Sequence, residues 1–178
     1  MVLIGALRPR HWAKNLLVFV APLGAGVISF SNLGFLLLAF LALSAAASAT
    51  YLINDVRDRA LDRSHPSKRL RAVASGKLQP RSAVGVAFSL IMISAALGSL
   101  INRLSLASIV AYLLIATLYT FGLKRVPALD VVILASLFVL RMVIGAVVVS
   151  VTISSWLYAA GFFAFLSIAF GKRFIELS

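Results

Sequence analysis

The sequence predicts an all-α, polytopic transmembrane helical bundle of about six helices, and three observations predict it. First, the 178 residues are 62% hydrophobic and only 12% charged, with a mean hydropathy of +1.05. A soluble domain is about half apolar and about a quarter charged, so most of this chain must be solvated by lipid or by other apolar helices. Second, the apolar residues fall into six runs near the ~20 residues that a spanning helix needs. Third, the bases gather at alternate ends of those runs.

The runs cover residues 15–30, 33–53, 82–101, 104–123, 128–150 and 155–170. The first is short and holds Pro22 and several glycines, which predicts a kinked or tilted helix. With Arg8, Arg10 and Lys14 ahead of it, it also resembles a secretory leader. Pro22 and the charge pattern favour a retained helix instead. If the ends alternate from inside, the inside segments hold fifteen of the seventeen bases. Arg103 falls outside and Arg141 lies within the fifth run. The positive-inside rule then makes the amino terminus, the 54–81 segment, the 122–127 turn and the carboxyl terminus cytoplasmic. The expected location is the plasma membrane, with the polar segment facing the cytoplasm.

The chain reads as a single membrane-embedded domain, 1–178, with no repeat or low-complexity tract. There is no cysteine, which excludes disulfides and thiolate metal sites. A net charge of +12 would point to nucleic acid in a soluble protein. Beside apolar runs it points instead to membrane lipids, or to a phosphorylated substrate bound at the membrane surface. No nucleic-acid partner is expected.

The five acids are Asp55, Asp58, Asp62, Asp130 and Glu176. Three of them share one window, Asn54-Asp55-Val56-Arg57-Asp58-Arg59-Ala60-Leu61-Asp62. The i, i+3, i+7 spacing puts all three on one helical face, within a sector of roughly 60°. Like charges on one face need a counter-charge. Carboxylates on a flexible face suit Mg²⁺, which takes one or two of them and completes its shell with water and substrate phosphates. The plain alternative is a solvated helical cap neutralised by Arg57, Arg59 and Arg63. The concentration of acids at a membrane boundary, Asn54 before them and a base cluster after them favour metal and phosphate.

That base cluster is His65-Pro66-Ser67-Lys68-Arg69-Leu70-Arg71, followed by Ser75, Gly76 and Lys77. Arginine offers phosphate a planar fork of donors and lysine a compact charge. An ordinary positive-inside loop explains the sign of this charge, but not the acids beside it. Carboxylates for metal and bases for phosphate together match what a diphosphate requires.

The run Asn54-Asp55-x-x-Asp58-x-x-x-Asp62 resembles the first aspartate-rich motif of the UbiA-type prenyltransferase superfamily. Arg8-Pro9-Arg10-His11-Trp12-Ala13-Lys14-Asn15 resembles the amino-terminal signature of that family. The stretch from Tyr119 to Lys124 and Arg125 resembles the turn after its fourth helix. With His65 to Arg69 and Gly171-Lys172-Arg173-Phe174-x-Glu176, the set is most similar to one branch, the decaprenyl-phosphate phosphoribosyltransferases. The resemblance implies a nine-helix fold with a cytoplasm-facing cavity, of which this chain carries about six helices, the carboxyl-terminal ones being missing. It implies a Mg²⁺-dependent transfer of 5-phosphoribose from phosphoribosyl diphosphate to a polyprenyl (decaprenyl) phosphate, for cell-envelope arabinan precursors. It also implies roles for single residues. Asp55, Asp58 and Asp62 would hold Mg²⁺, with Asn54 beside them. Lys14, Asn15, Lys68, Arg69, Arg71, Tyr119, Lys124, Arg125, Lys172, Arg173 and Glu176 would bind substrate.

One departure bears on the reaction. Ring-prenylating members carry a second aspartate-rich motif near the end of the sixth helix. Here Lys172, Arg173 and the single Glu176 stand in that place, which favours a basic pocket for a second phosphate. The alternatives are an aromatic-ring prenyltransferase of the same superfamily, or a non-catalytic membrane protein or transporter. Arg141, inside a membrane run, is either a functional charge or one that snorkels or pairs with helix ends or backbone carbonyls; no acid lies at matching depth, so an acidic partner would fall on further helices. Asp130 reads as a cavity residue or a first-turn helix acid. Trp12, Trp156 and Tyr158 read as interfacial anchors.

Overall fold

The computed structural model describes residues 2–126 and 128–177. A short helix α1, Val2–Leu7, leads into an eleven-residue 3₁₀ helix, Pro9–Phe19, and then into α2, Val20–Gly24. Helix α3 is long, Phe30–Arg57, and is followed at once by α4, Arg59–Ser64. After an irregular basic segment come α5, Pro80–Ile101, and α6, Arg103–Phe121. Then follow α7, Leu129–Val148, and α8, Ser155–Leu177. Among the described residues, five helices (α3, α5, α6, α7 and α8) are long and apolar enough to cross a membrane. The protein is a multi-pass membrane protein.

The first expected run, 15–30, is not one α-helix. A 3₁₀ helix rises ~2.0 Å per residue and an α-helix ~1.5 Å. Residues 9–24 therefore extend ~30 Å, about one hydrocarbon thickness. Arg8 touches Asp55 at the end of α3, whereas Phe30 begins α3 at the far end of the bundle. The 3₁₀ helix and α2 thus make the first crossing. Gly26, at φ 66°, and the irregular residues after it stop α2 well short of Phe30.

The packing explains why this crossing is a 3₁₀ helix. Three residues of 3₁₀ helix and four of α-helix both advance ~6 Å. Trp12, Asn15 and Val18 form a period-three row that meets the period-four pair Ser48 and Ser44 on α3. Trp12 Nε1 donates to Ser48 Oγ at 3.0 Å, and Asn15 Nδ2 donates to Ser44 Oγ at 3.0 Å. Ser48 Oγ donates in turn to the carbonyl of Leu7 or of Ser44. Trp12 is therefore an internal tie and not the interfacial anchor expected of it. Trp156 and Tyr158 remain on the outside, 86% and 51% exposed.

Small residues let the elements approach closely, as they do between membrane helices generally. Ala42, Ser44 to Ala47, Ser48 and Ala49 of α3 are all buried, and Ser94 of α5 donates to the Ala42 carbonyl at 2.8 Å. Gly145 of α7 lies against the Val18 backbone of the 3₁₀ helix. A Cβ at Gly145 would overlap the Val18 carbonyl outright. Backbone clashes are not relieved by rotamer changes, so Gly145→Ala should cost about 1–3 kcal/mol or more. The expected result is a clear drop in melting temperature in detergent. Gly5→Ala, where nothing stands within 4 Å, serves as the neutral control.

Candidate functional site

Four ion pairs gather at one end of the bundle, where α3 runs into α4. The aspartate motif spans that junction. Asp58 sits between the two helices at φ −86°, ψ 7°, so the expected single helix bends there. The i→i−4 bonds nevertheless continue through it, from Asp58 N to Asn54 O and from Asp62 N to Asp58 O, each 2.8 Å. The three acids keep nearly the helical spacing that the sequence predicts.

Each acid is held by a base from a different segment. Arg8 Nη2 donates to Asp55 Oδ1 at 2.5 Å. Arg71 Nη1 reaches Asp62 Oδ2 at 2.8 Å and Asp55 Oδ1 at 3.4 Å. Lys124 Nζ donates to Asp58 Oδ2 at 2.6 Å and to Asn54 Oδ1 at 2.9 Å. Asp55 and Asp62 are buried and Asp58 partly so. Arg8 adopts a left-handed backbone, φ 54°, ψ 59°. This conformation is uncommon for a residue with a Cβ. It turns the chain from α1 into the 3₁₀ helix, and the side chain reaches Asp55 from that corner. The guanidinium also lies 4.9 Å from the centre of the Tyr51 ring. The Arg57 guanidinium donates to the Thr120 carbonyl and lies over Phe121, tying α3 to the end of α6.

Beneath the motif is a cavity of ≈ 360 Å³. Its wall includes Arg8, Lys14, Arg71, Lys124 and Arg141, five bases, and no carboxylate among its described lining residues. Asn54, Tyr51, Tyr112 and Tyr119 supply neutral polar groups, and Leu134, Leu137, Phe138 and Ala116 the apolar side. A second, shallower pocket of ≈ 290 Å³ shares Arg8 and Arg71 with the first and contains Asp55. The acids therefore stand behind the basic wall of the main cavity. The donor set of Asn54, Asp55, Asp58 and Asp62 is all oxygen, which fits a hard cation such as Mg²⁺. Among the described residues, no three acids or histidines stand close enough to share one ion. Asp55 and Asp62 share Arg71, and Asp58 is drawn to Lys124.

The structure brings Asn54, Asp55, Asp58, Asp62, Lys14, Arg71, Tyr119 and Lys124 to this place, and leaves other expected residues away from it. Lys68 and Arg69 sit on an exposed turn and do not line the cavity. Asn15 is fully buried and acts through Arg141, accepting a bond from its Nε at 2.9 Å. Arg173 Nε lies 3.8 Å from Asp130 Oδ2, so Asp130 serves the end of α8 and does not line the cavity. The side chains of Arg125, Lys172 and Glu176 lie outside the described residues.

Two contributors were not legible from the pattern of residues alone. Arg8 was visible only as part of an amino-terminal signature. Arg141 was visible as an intramembrane charge, but the expectation that its partners lie on further helices is corrected. Asn15, Tyr112 and the Leu137 carbonyl, all within this chain, hold it.

The molecule is thus an all-helical membrane bundle with an oxygen-donor motif beside a basic cavity. The chain belongs to the UbiA prenyltransferase family, whose pattern matches residues 15–174. It is 38% identical over 180 residues to a decaprenyl-phosphate phosphoribosyltransferase of Corynebacterium glutamicum, covering 98% of this chain and 54% of that protein. It is 36% identical to the protein of the same description from Mycobacterium tuberculosis, covering 98% of this chain and 59% of the relative. The chain thus spans little more than half the length of these curated relatives. A UbiA homologue from Archaeoglobus fulgidus, solved with DMAPP and Mg²⁺, superposes with a TM-score of 0.82 at 22% identity, covering 94% of this chain and 61% of that one. That likeness establishes the UbiA fold.

The buried pair between Arg8 and Asp55 should be measurable as stability. Removing one partner of a buried ion pair costs about 3–5 kcal/mol. Arg8 is partly solvated and Arg71 remains nearby, so Arg8→Ala should cost about 2 kcal/mol. Adding Asp55→Asn to Arg8→Ala should recover part of that loss. Equal and additive losses in thermal melts would show that the two side chains are not coupled.

Proposed function

We propose that the site transfers 5-phosphoribose from phosphoribosyl diphosphate to a polyprenyl phosphate. The observation that carries this reading is the basic cavity set directly beside the aspartate motif. Its five bases suit two phosphorylated substrates, and its apolar side suits a prenyl chain. The names of the relatives support the choice of donor and acceptor. The basic end faces the cytoplasm, in keeping with the segregation of the bases, and the membrane is the plasma membrane.

Mg²⁺ supplies charge neutralisation at the departing diphosphate. Asp55, Asp58 and Asp62 would hold it, with Asn54 beside them. Arg8, Arg71 and Lys124 pair with these carboxylates. When substrate enters, Arg8, Arg71 and Lys124 would leave these carboxylates and turn to its phosphates, freeing the acids to act as oxygen ligands. A polyprenyl phosphate oxygen then bonds to C1 of the ribose. The bond from C1 to the diphosphate oxygen breaks, and its electron pair leaves with the diphosphate. The acceptor is already an anion, so no strong general base is required. Bases aimed at the leaving group stabilise the charge that develops there. Transfer of a prenyl group to an aromatic ring, the competing reading, differs by substrate: it consumes prenyl diphosphate and moves no label from phosphoribosyl diphosphate into lipid.

Two outcomes test this reading. Asp55→Asn and Asp58→Asn should each abolish transfer of radiolabel from phosphoribosyl diphosphate into the lipid fraction, with expression near normal. Full activity in both variants would refute the metal assignment. Arg71→Ala should raise the KM for phosphoribosyl diphosphate by about tenfold or more, because a bond to a charged group is worth roughly 1.5–3 kcal/mol. Arg69→Ala, outside the cavity wall, should raise it less. The reverse order would move the phosphate site to the outer turn.

A further inference from the structure

We infer that Arg141 is the receptor for a phosphomonoester deep in the membrane, separate from the diphosphate site at the aspartates. The inference rests on the phosphoribosyl-transfer reading.

Arg141 is 6% exposed, yet it lines the main cavity. It stands twelve residues into α7, so its Cα is ~18 Å from the start of the helix. Its partner Tyr112 is nine residues from the end of α6, ~13 Å in from the same side. Asp55, by contrast, lies at the basic end of α3. An anionic group that reaches Arg141 is therefore a different group from the one held at the acids.

The guanidinium is aimed by three neutral anchors. Nε donates to Asn15 Oδ1 at 2.9 Å, Nη1 to the Leu137 carbonyl at 2.5 Å and Nη2 to Tyr112 Oη at 2.8 Å. The rings of Tyr112 and Phe138 lie 4.9 and 5.2 Å from its central carbon. Among the described residues no carboxylate pairs with it. A guanidinium carries five N–H donors, and the three anchors use three of them. One N–H on each terminal nitrogen remains.

A neutral side chain could tie the same three elements together without the cost of burying a charge. The positive charge therefore has a use that the anchors do not explain. A planar pair of N–H groups on a buried cation, open to a cavity, matches two phosphate oxygens. The reaction offers two phosphomonoesters: the head of the polyprenyl phosphate and the 5-phosphate of the donor. Both present the same chemistry, and the test separates them.

Purified full-length protein in detergent is titrated with farnesyl phosphate, farnesol and ribose 5-phosphate, in the wild type and in Arg141→Gln. The expected result is a loss of about tenfold or more in affinity for one phosphomonoester, with farnesol binding unchanged. Loss in the farnesyl phosphate arm assigns the lipid head, and loss in the ribose 5-phosphate arm assigns the donor. A change below threefold in both arms overturns the inference, as does an equal loss for farnesol. If Arg141→Gln does not accumulate, Arg141→Lys decides by the same thresholds. It keeps the charge but cannot hold three anchors and still present two donors. Failure of the phosphoribosyl-transfer reading would register differently, as no radiolabel moved into lipid by the wild type, whatever these titrations give.

Discussion

The structure depends on neutralising three carboxylates at the end of an apolar helix. Asp55 and Asp62 are buried, and buried charges persist only when paired and hydrogen-bonded. The partners come from far along the chain: Arg8 from before the first crossing, Arg71 from the segment after α4, and Lys124 from the turn after α6. Meeting that demand draws three distant segments to one end of the bundle. The cavity is the space those segments enclose, and its basic wall follows from what they bring. The same pairing bridges Asp55 and Asp62 through one Arg71 nitrogen, while Asp58 goes to Lys124.

A second constraint sets the depth of the cavity. The 3₁₀ helix runs beside α3 in a register where ~6 Å of one matches ~6 Å of the other. Trp12 and Asn15 are fixed on Ser48 and Ser44 by that register. Asn15 in turn orients Arg141. A change of helix type would rotate Asn15 off its row and remove one of the three anchors of the guanidinium. Gly145 keeps the 3₁₀ backbone against α7, so the first crossing, α3 and α7 position one another. Stability of the bundle and placement of a charge in the membrane are here the same set of contacts.

The long helices were legible because lipid demands sustained apolar length, and α3, α5, α6, α7 and α8 each begin and end within a few residues of their apolar runs, apart from polar extensions. Those extensions, through Arg57 in α3 and past Gly171 in α8, occur where the helix continues beyond the apolar layer. The aspartate motif was legible because three acids in an acid-poor chain at helical spacing leave few other readings. The first crossing was misread because hydropathy counts apolar residues and carries no information on helix type, which here was decided by packing against α3 and α7.

By itself, the sequence determined that the protein is a multi-pass helical membrane bundle, which end of the bundle carries charge and where the aspartate motif stands. Each of these follows from composition and local period, which act over neighbouring residues. Only the tertiary structure decided that Arg8 serves Asp55, that Asp130 serves Arg173 and not the cavity, that Lys68 and Arg69 lie outside the wall, and that Arg141 has Asn15 and Tyr112 as partners. Those pairings join residues as many as 126 positions apart. An ion pair or hydrogen bond depends on distances of a few ångströms in space, and spacing along a chain does not encode them until the helices have packed.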